Sequence, residues 1–252
     1  MSEVLTEVRD GVLIITINRP EAKNAVNRAV AEGIAAAMEQ LDSDVSLNAG
    51  VITGAGGTFC SGMDLKAYLQ GELPIVAGKG FAGFIEAPPK KPLIGAVDGY
   101  ALAGGMEIAT ACDLLVANKD AKFGIPEVKR SLVAAGGGLL SLPAIMGKRL
   151  AMELALTGDF LSAQRAYEVG FVNRITDGAA LDAALELAVA IAANGPLALI
   201  ATKRIINERP DWDSGNMWQK QAEISMPVFA SNDSKEGARA FAEKRKSVWT
   251  GA

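Results

Sequence analysis

The chain contains no histidine. That absence removes the Ser-His-Asp triad, the Cys-His dyad and any imidazole metal ligand. An enzyme built from this sequence has to move protons with Glu, Asp, Lys, Tyr, Cys or a bound cofactor. Cysteine is scarce as well. Cys60 and Cys112 are the two present, too few for a disulfide framework or an all-cysteine zinc site. They fit a reduced, cytoplasmic setting with no metal. Positive charge is not in excess: the formal net charge is -4 and the isoelectric point is near 5.1. Both argue against a broad nucleic-acid-binding surface. The longest uncharged stretch, Ser131–Gly147, is broken by consecutive glycines and by Pro143, so no membrane span is expected. The segment Met1-Ser2-Glu3-Val4-Leu5-Thr6-Glu7 lacks the apolar region of a signal peptide, and none is expected.

What is present points to a compact fold. Half of the 252 residues are hydrophobic and 27 are glycine. A chain of this length buries roughly 70–75% of the surface exposed by its unfolded form, as one large domain with or without a small appendage. The mean hydropathy of +0.21 then implies a rich core or a buried subunit interface. Asp10-Gly11 between Val4–Arg9 and Val12–Ile17 reads as a hairpin turn. A helix is expected over Asn27–Asp42, with Asn27 as its N-cap. Ala49–Thr53, Pro92–Val97, Leu114–Asn118 and Phe171–Ile175 read as strands. Asp98–Gly105 reads as a loop leading to a helix that begins at Met106. Ser162 and Gly170 bracket a short helix. Strands alternating with helices imply an α/β core. From about Ala179 the pattern is helical: Ala179–Ala193, Leu197–Asn207, Trp212–Phe229 and Lys235–Lys246. We therefore divide the chain into a core, 1–195, and a helical C-terminal region, 196–252.

Three segments invite chemistry. Gly54–Leu65 has two glycines at phosphate-loop spacing, but Met63-Asp64 stands where Lys-Ser/Thr is required. It also has Phe59 where the dinucleotide fingerprint needs its third glycine. What is left is a strand–loop–helix junction whose backbone N–H groups can face a pocket. In Gly99–Glu107, small residues before a helix allow close approach to the backbone. A free N–H at Gly104 would stabilise a developing oxyanion, a contribution of about 2.7–4 kcal/mol. Glu107 and Glu127, the latter beside Pro126 in Lys122–Glu127, each fit the first turn of a helix, where an acid simply matches the dipole. Taken singly, each has that ordinary explanation. Two carboxylates converging on one pocket would instead hold a water between a base and an acid, with one carboxyl raised to suit neutral pH.

Together these segments resemble the enoyl-CoA hydratase/isomerase, or crotonase, family along nearly the whole chain. Asn18-Arg19-Pro20 with Lys23-Asn24-Ala25 is similar to the family's CoA loop. Phe59–Leu65 and Asp98–Glu107 are similar to its two oxyanion segments, and Ala121–Glu127 to its third motif. Glu236-Gly237 and Phe241–Lys246 are similar to its C-terminal signature. Any one of these is weak, but five in order are specific.

The resemblance implies a spiral of ββα units with a helical C-terminal trimerisation region, as a trimer or a dimer of trimers. It implies an acyl-CoA thioester as substrate, with no separate cofactor. The backbone N–H groups of Met63 and Gly104 would hold the thioester oxygen, and Glu107 and Glu127 would add water across the 2,3-double bond. Glu127 would be the main acid/base and Glu107 its partner. Lys23, Ala25, Ser61, Asp64, Leu65 and Lys66 fall at CoA- or substrate-contacting positions, and Lys244 where it would reach a neighbour's phosphates. A double-bond isomerase working with Glu127 alone is the alternative within the family. A silent CoA- or RNA-binding relative and a serine peptidase are rivals outside it, disfavoured by the acidic charge and by the missing histidine. One departure stands out. Where many hydratases continue with Gly-Leu-x-Pro and a Gly-Gly-Thr-Gln-Arg-type stretch, Ser131–Ser141 is more apolar, which points to a bulky or unusual acyl group.

Overall fold

The computed structural model describes residues 2–252. The hairpin forms as expected: β1 (Val4–Arg9) pairs antiparallel with β2 (Val12–Ile17). Asp10 and Gly11 both take positive φ, 51° and 75°, which is the twist a two-residue hairpin turn needs. Helix α1 (Arg28–Ser43) starts where the Asn27 side chain accepts the Val30 N–H. Its buried face is Val30, Ile34, Met38 and Leu41, spaced to lie along one side of a helix.

The chain then winds through three similar turns. In the first, β3 (Ala49–Gly54) is followed by a single bridge from Cys60 to Ala101 and by α2 (Leu65–Leu69). A small hairpin, β4 (Ile75–Val76) and β5 (Gly80–Phe81), is inserted next. The second turn is β6 (Leu93–Val97), β7 (Tyr100–Leu102) and α3 (Gly104–Thr110). The third is β8 (Leu114–Asn118), β9 (Lys122–Gly124) and a tight helical turn at Pro126–Arg130. The first strand of each turn joins a six-stranded sheet of order β1-β2-β3-β6-β8-β11, parallel after the hairpin. The second strand of the later turns joins a small sheet.

Helices α4 (Gly138–Met146) and α5 (Lys148–Thr157), strand β10 (Leu161–Ser162), helix α6 (Ala163–Glu168) and strand β11 (Arg174–Thr176) close the spiral. The large sheet is buried on both faces. Leu13, Ile15, Ile52 and Leu115 pack with α1, and Val12, Ile14, Val51 and Val116 with α7 (Ala180–Ala192). Two buried faces explain why its strands read as unbroken apolar runs. Helices α8 (Pro196–Glu208), α9 (Met217–Ala230) and α10 (Asn232–Ala242) follow. No single helix among the described residues is long and apolar enough to cross a membrane.

Three expectations shift. The Asp98–Gly105 loop contains β7, because Tyr100–Leu102 finds a partner in β9, which no local pattern announces. The strand expected at Phe171 begins only at Arg174. The N–H groups of Phe171 and Val172 are used to close α6, both donating to the Ala166 carbonyl. The last helix starts earlier, where the Ser231 hydroxyl accepts the Ser234 N–H, and ends at Ala242. Past it, Lys244 has φ 54° and the chain turns back so that Arg245 pairs with Glu236.

Candidate active site

Met63, Gly104 and Glu127 each lie just after the second extended segment of a spiral turn. Successive turns stack through the small sheet, so these equivalent points become neighbours. Three close approaches show how tightly. A Cβ on Gly105 would sit 2.1 Å from the Cys60 carbonyl oxygen. A Cβ on Gly62 would sit 2.7 Å from that of Ala103 and 3.0 Å from the Gly104 nitrogen. Only glycine permits this contact between the two segments.

That contact leaves two backbone donors free. Val26 forms a parallel bridge with Met63, donating to the Gly62 carbonyl at 2.8 Å and accepting from the Asp64 N–H at 2.9 Å. The Met63 N–H itself faces away from this bridge. Gly104 is the first residue of α3, so its N–H has no place in the helical ladder. Ala103 turns the chain there with φ 51° and ψ -127°, a conformation that a non-glycine residue holds only when its surroundings impose it. Its N–H is tied to the Gly124 carbonyl at 2.8 Å.

Two carboxylates complete the arrangement. Glu107, on the first turn of α3, is 4% exposed. Its Oε1 accepts the Gly138 N–H at 3.0 Å. A Cβ on Gly136 would come within 2.6 Å of its Oε2, so the glycine run of 136–138 wraps around this carboxylate. Burial pushes the Glu107 carboxyl above its ordinary value, and the backbone amides pull it part of the way back. Glu127 sits in the Pro126–Arg130 turn, with Pro126 in its first position. Its Oε2 is buried without a hydrogen-bond partner among the described residues. Burial raises its carboxyl to about 7, opposed by its own backbone N–H and by Arg130, while the charge of Glu107 raises it further. One carboxylate is anchored by backbone and the other has an open acceptor and takes up a proton near neutrality. Such a pair can position a water and pass protons.

A family model for enoyl-CoA hydratase/isomerase matches residues 7–252. The chain belongs to the enoyl-CoA hydratase/isomerase family. It is 42% identical to enoyl-CoA hydratase EchA19 of Mycobacterium tuberculosis, over 96% of this chain and 94% of that protein. It is 38% identical to mevalonyl-coenzyme A hydratase SIDH of Beauveria bassiana, over 94% of this chain and 91% of that one. The crystal structure of enoyl-CoA hydratase EchA1 from Mycobacterium marinum superposes with a TM-score of 0.98 at 60% identity, each chain fully covered. The architecture is therefore the crotonase fold with a helical C-terminal region.

The remaining residues expected at the site of this family fall into two groups. Lys23 and Lys66 are exposed, and Leu65 is 38% exposed. Ala25, Ser61 and Asp64 belong to a locked scaffold behind them. The Ser61 N–H donates to the Lys23 carbonyl at 3.0 Å, and the Ala25 carbonyl accepts from Arg19 Nη1 at 2.6 Å. Asp64 caps α2 through the Lys66 and Ala67 N–H groups and pairs with Arg19 at 2.9 Å. Burial would raise its carboxyl, but Arg19 and the two amides outweigh it and hold the group low. Both its oxygens are thus committed, and it positions the loop rather than offering a free carboxylate. Asn24, fully buried, accepts the Arg19 N–H and donates to the Ala55 carbonyl.

Two features escaped the motif reading. Gly136 and Gly138 were visible as a glycine run, but their bond to Glu107 spans 31 residues. Phe81 carries no motif at all, yet its ring fills the space where a Gly104 side chain would be, its Cζ 2.4 Å from that Cβ position.

Proposed function

We propose that the protein is an enoyl-CoA hydratase, adding water across the 2,3-double bond of a 2-enoyl-CoA or removing it in reverse. The observation that carries this reading is the open, buried Glu127 Oε2 beside the backbone-anchored Glu107. The free Met63 and Gly104 N–H groups would hold the thioester oxygen, stabilising it as it takes on enolate charge. Each such donor contributes about 2.7–4 kcal/mol. The two glutamates hold the water. As its oxygen bonds to C3, Glu127 takes one water proton, the π electrons move toward the carbonyl, and C2 receives a proton from the pair. Dehydration follows the same path backwards. Lys23 and Lys66 stand where point charges would meet the CoA phosphates.

The test is loss of the conjugated-thioester absorbance of crotonyl-CoA. Wild type is expected to hydrate it. Glu107→Gln should lose most of that activity. A variant that instead keeps moving double bonds between the 2,3 and 3,4 positions would favour the isomerase, which needs a single base. Absence of hydration with every trans-2-enoyl-CoA would overturn the reading. The active unit is a trimer or a dimer of trimers. Helices α8 and α9 bury no residue in the single chain, and Ile206, Trp218, Met226 and Phe229 are between 60% and 70% exposed. An apolar surface of that kind is normally covered by a partner. Sedimentation at a monomer mass would refute the assembly.

A further inference from the structure

The small hairpin and the turn after it, Ile75–Glu86, are where the chain walls the acyl group. This rests on the hydratase reading and deepens it. Phe81 lies against Gly104, the residue whose N–H would hold the thioester oxygen. Four residues on, Ile85 lies against Gly137, its Cγ2 3.5 Å from the Cβ position there. Gly137 sits between the two glycines that wrap Glu107, whose carboxylate serves the carbon receiving water. The Ile85 N–H bonds back to the Phe81 carbonyl at 3.4 Å, so the two side chains share one helical turn and one face. That face runs from the place of the C1 oxygen to the place of the C3 chemistry.

The wall is built to stay in place. Ala82 is fully buried at φ 53°, between Gly80 at 75° and Gly83 at 74°. Its N–H donates to the Pro74 carbonyl at 3.0 Å, and the Glu86 N–H to the Lys79 carbonyl at 3.0 Å. A Cβ on Gly83 would lie 2.2 Å from the Ala31 carbonyl oxygen, so the turn is pressed directly onto the backbone of α1. Phe84 anchors it in the core at 0% exposure. A non-glycine residue at positive φ persists where neighbours over-determine it, and here they do.

We infer that Phe81, backed by Ile85, sets substrate specificity by excluding bulk beside the reacting carbons, so that the preferred acyl group is unbranched at C2 and C3. One added methyl against a fixed apolar wall changes selectivity by about 10–200-fold. The experiment compares kcat/KM for crotonyl-CoA and for its 2-methyl and 3-methyl analogues in wild type, Phe81→Ala, Phe81→Leu and Ile85→Ala, with a thermal melt on each. Wild type should favour crotonyl-CoA at least tenfold. Phe81→Ala should raise the branched-to-linear ratio at least tenfold, and Phe81→Leu and Ile85→Ala less. An unchanged ratio in a variant that melts within a few degrees of wild type would overturn the inference. If Phe81→Ala fails to fold, Phe81→Leu decides it on the same ratio. Failure of wild type to hydrate any of these thioesters would instead overturn the hydratase reading.

Discussion

Replacing Glu127 by Gln tests the electrostatics of the site without reference to substrate. The folded protein holds the Glu127 proton up to about pH 7, whereas the ordinary carboxyl releases it near 4.5. Between those values the folded state binds a proton that the unfolded chain has lost. Stability from this group is therefore greatest below pH 4.5, falls as pH rises through the window, and stays low above 7. The span, at about 1.4 kcal/mol per pH unit, sets a ceiling of about 3 kcal/mol. Solvent reaches part of the side chain, and screening reduces this to about 1–2 kcal/mol. Glutamine is nearly isosteric and never ionises. Glu127→Gln should thus melt close to wild type at pH 5 and about 2–8 °C above it at pH 8.5, given about 2–4 °C per kcal/mol for a chain of this size. Thermal melts at fixed protein concentration and matched ionic strength read this directly. The same ionisation should appear in the pH profile of kcat/KM as a value belonging to the Glu107–Glu127 pair. A Tm difference that does not change with pH would refute the claim that Glu127 is buried and raised.

Two further substitutions probe the scaffold. Gly136→Ala would bring a methyl 2.6 Å from Glu107 Oε2, so the carboxylate must move and lose the Gly138 bond; kcat should fall about 100-fold with KM changed far less, and steady-state kinetics showing an unchanged kcat would exclude the clamp. Asn24→Ala strips buried partners from the Arg19 N–H and the Ala55 carbonyl, and should cost about 2–4 kcal/mol in urea unfolding; a loss below about 0.5 kcal/mol would show that water replaces it.

Much of the framework was written locally. Asp10-Gly11 can take the positive φ of a tight hairpin, Asn27 and Ser162 can cap helices with their own side chains, and Pro126 can start a turn. These effects act over a few residues, so the sequence alone determined them, together with the buried strands and the motif positions of Glu107 and Glu127. The same short range explains what it left open. Either glutamate, read singly, is an acid at a helix start. Only stacking of the spiral turns puts Glu107 under the glycines of 136–138 and leaves Glu127 Oε2 without a partner. Strand β7 exists because β9 lies beside it, and β11 starts late because the Ala166 carbonyl captures two N–H groups first. The contact of Phe81 with Gly104 joins segments with no shared motif. Burial and partner choice depend on residues far apart in the chain, and on them depend the proton held near neutrality and the wall beside the reacting carbons; these the tertiary structure decided.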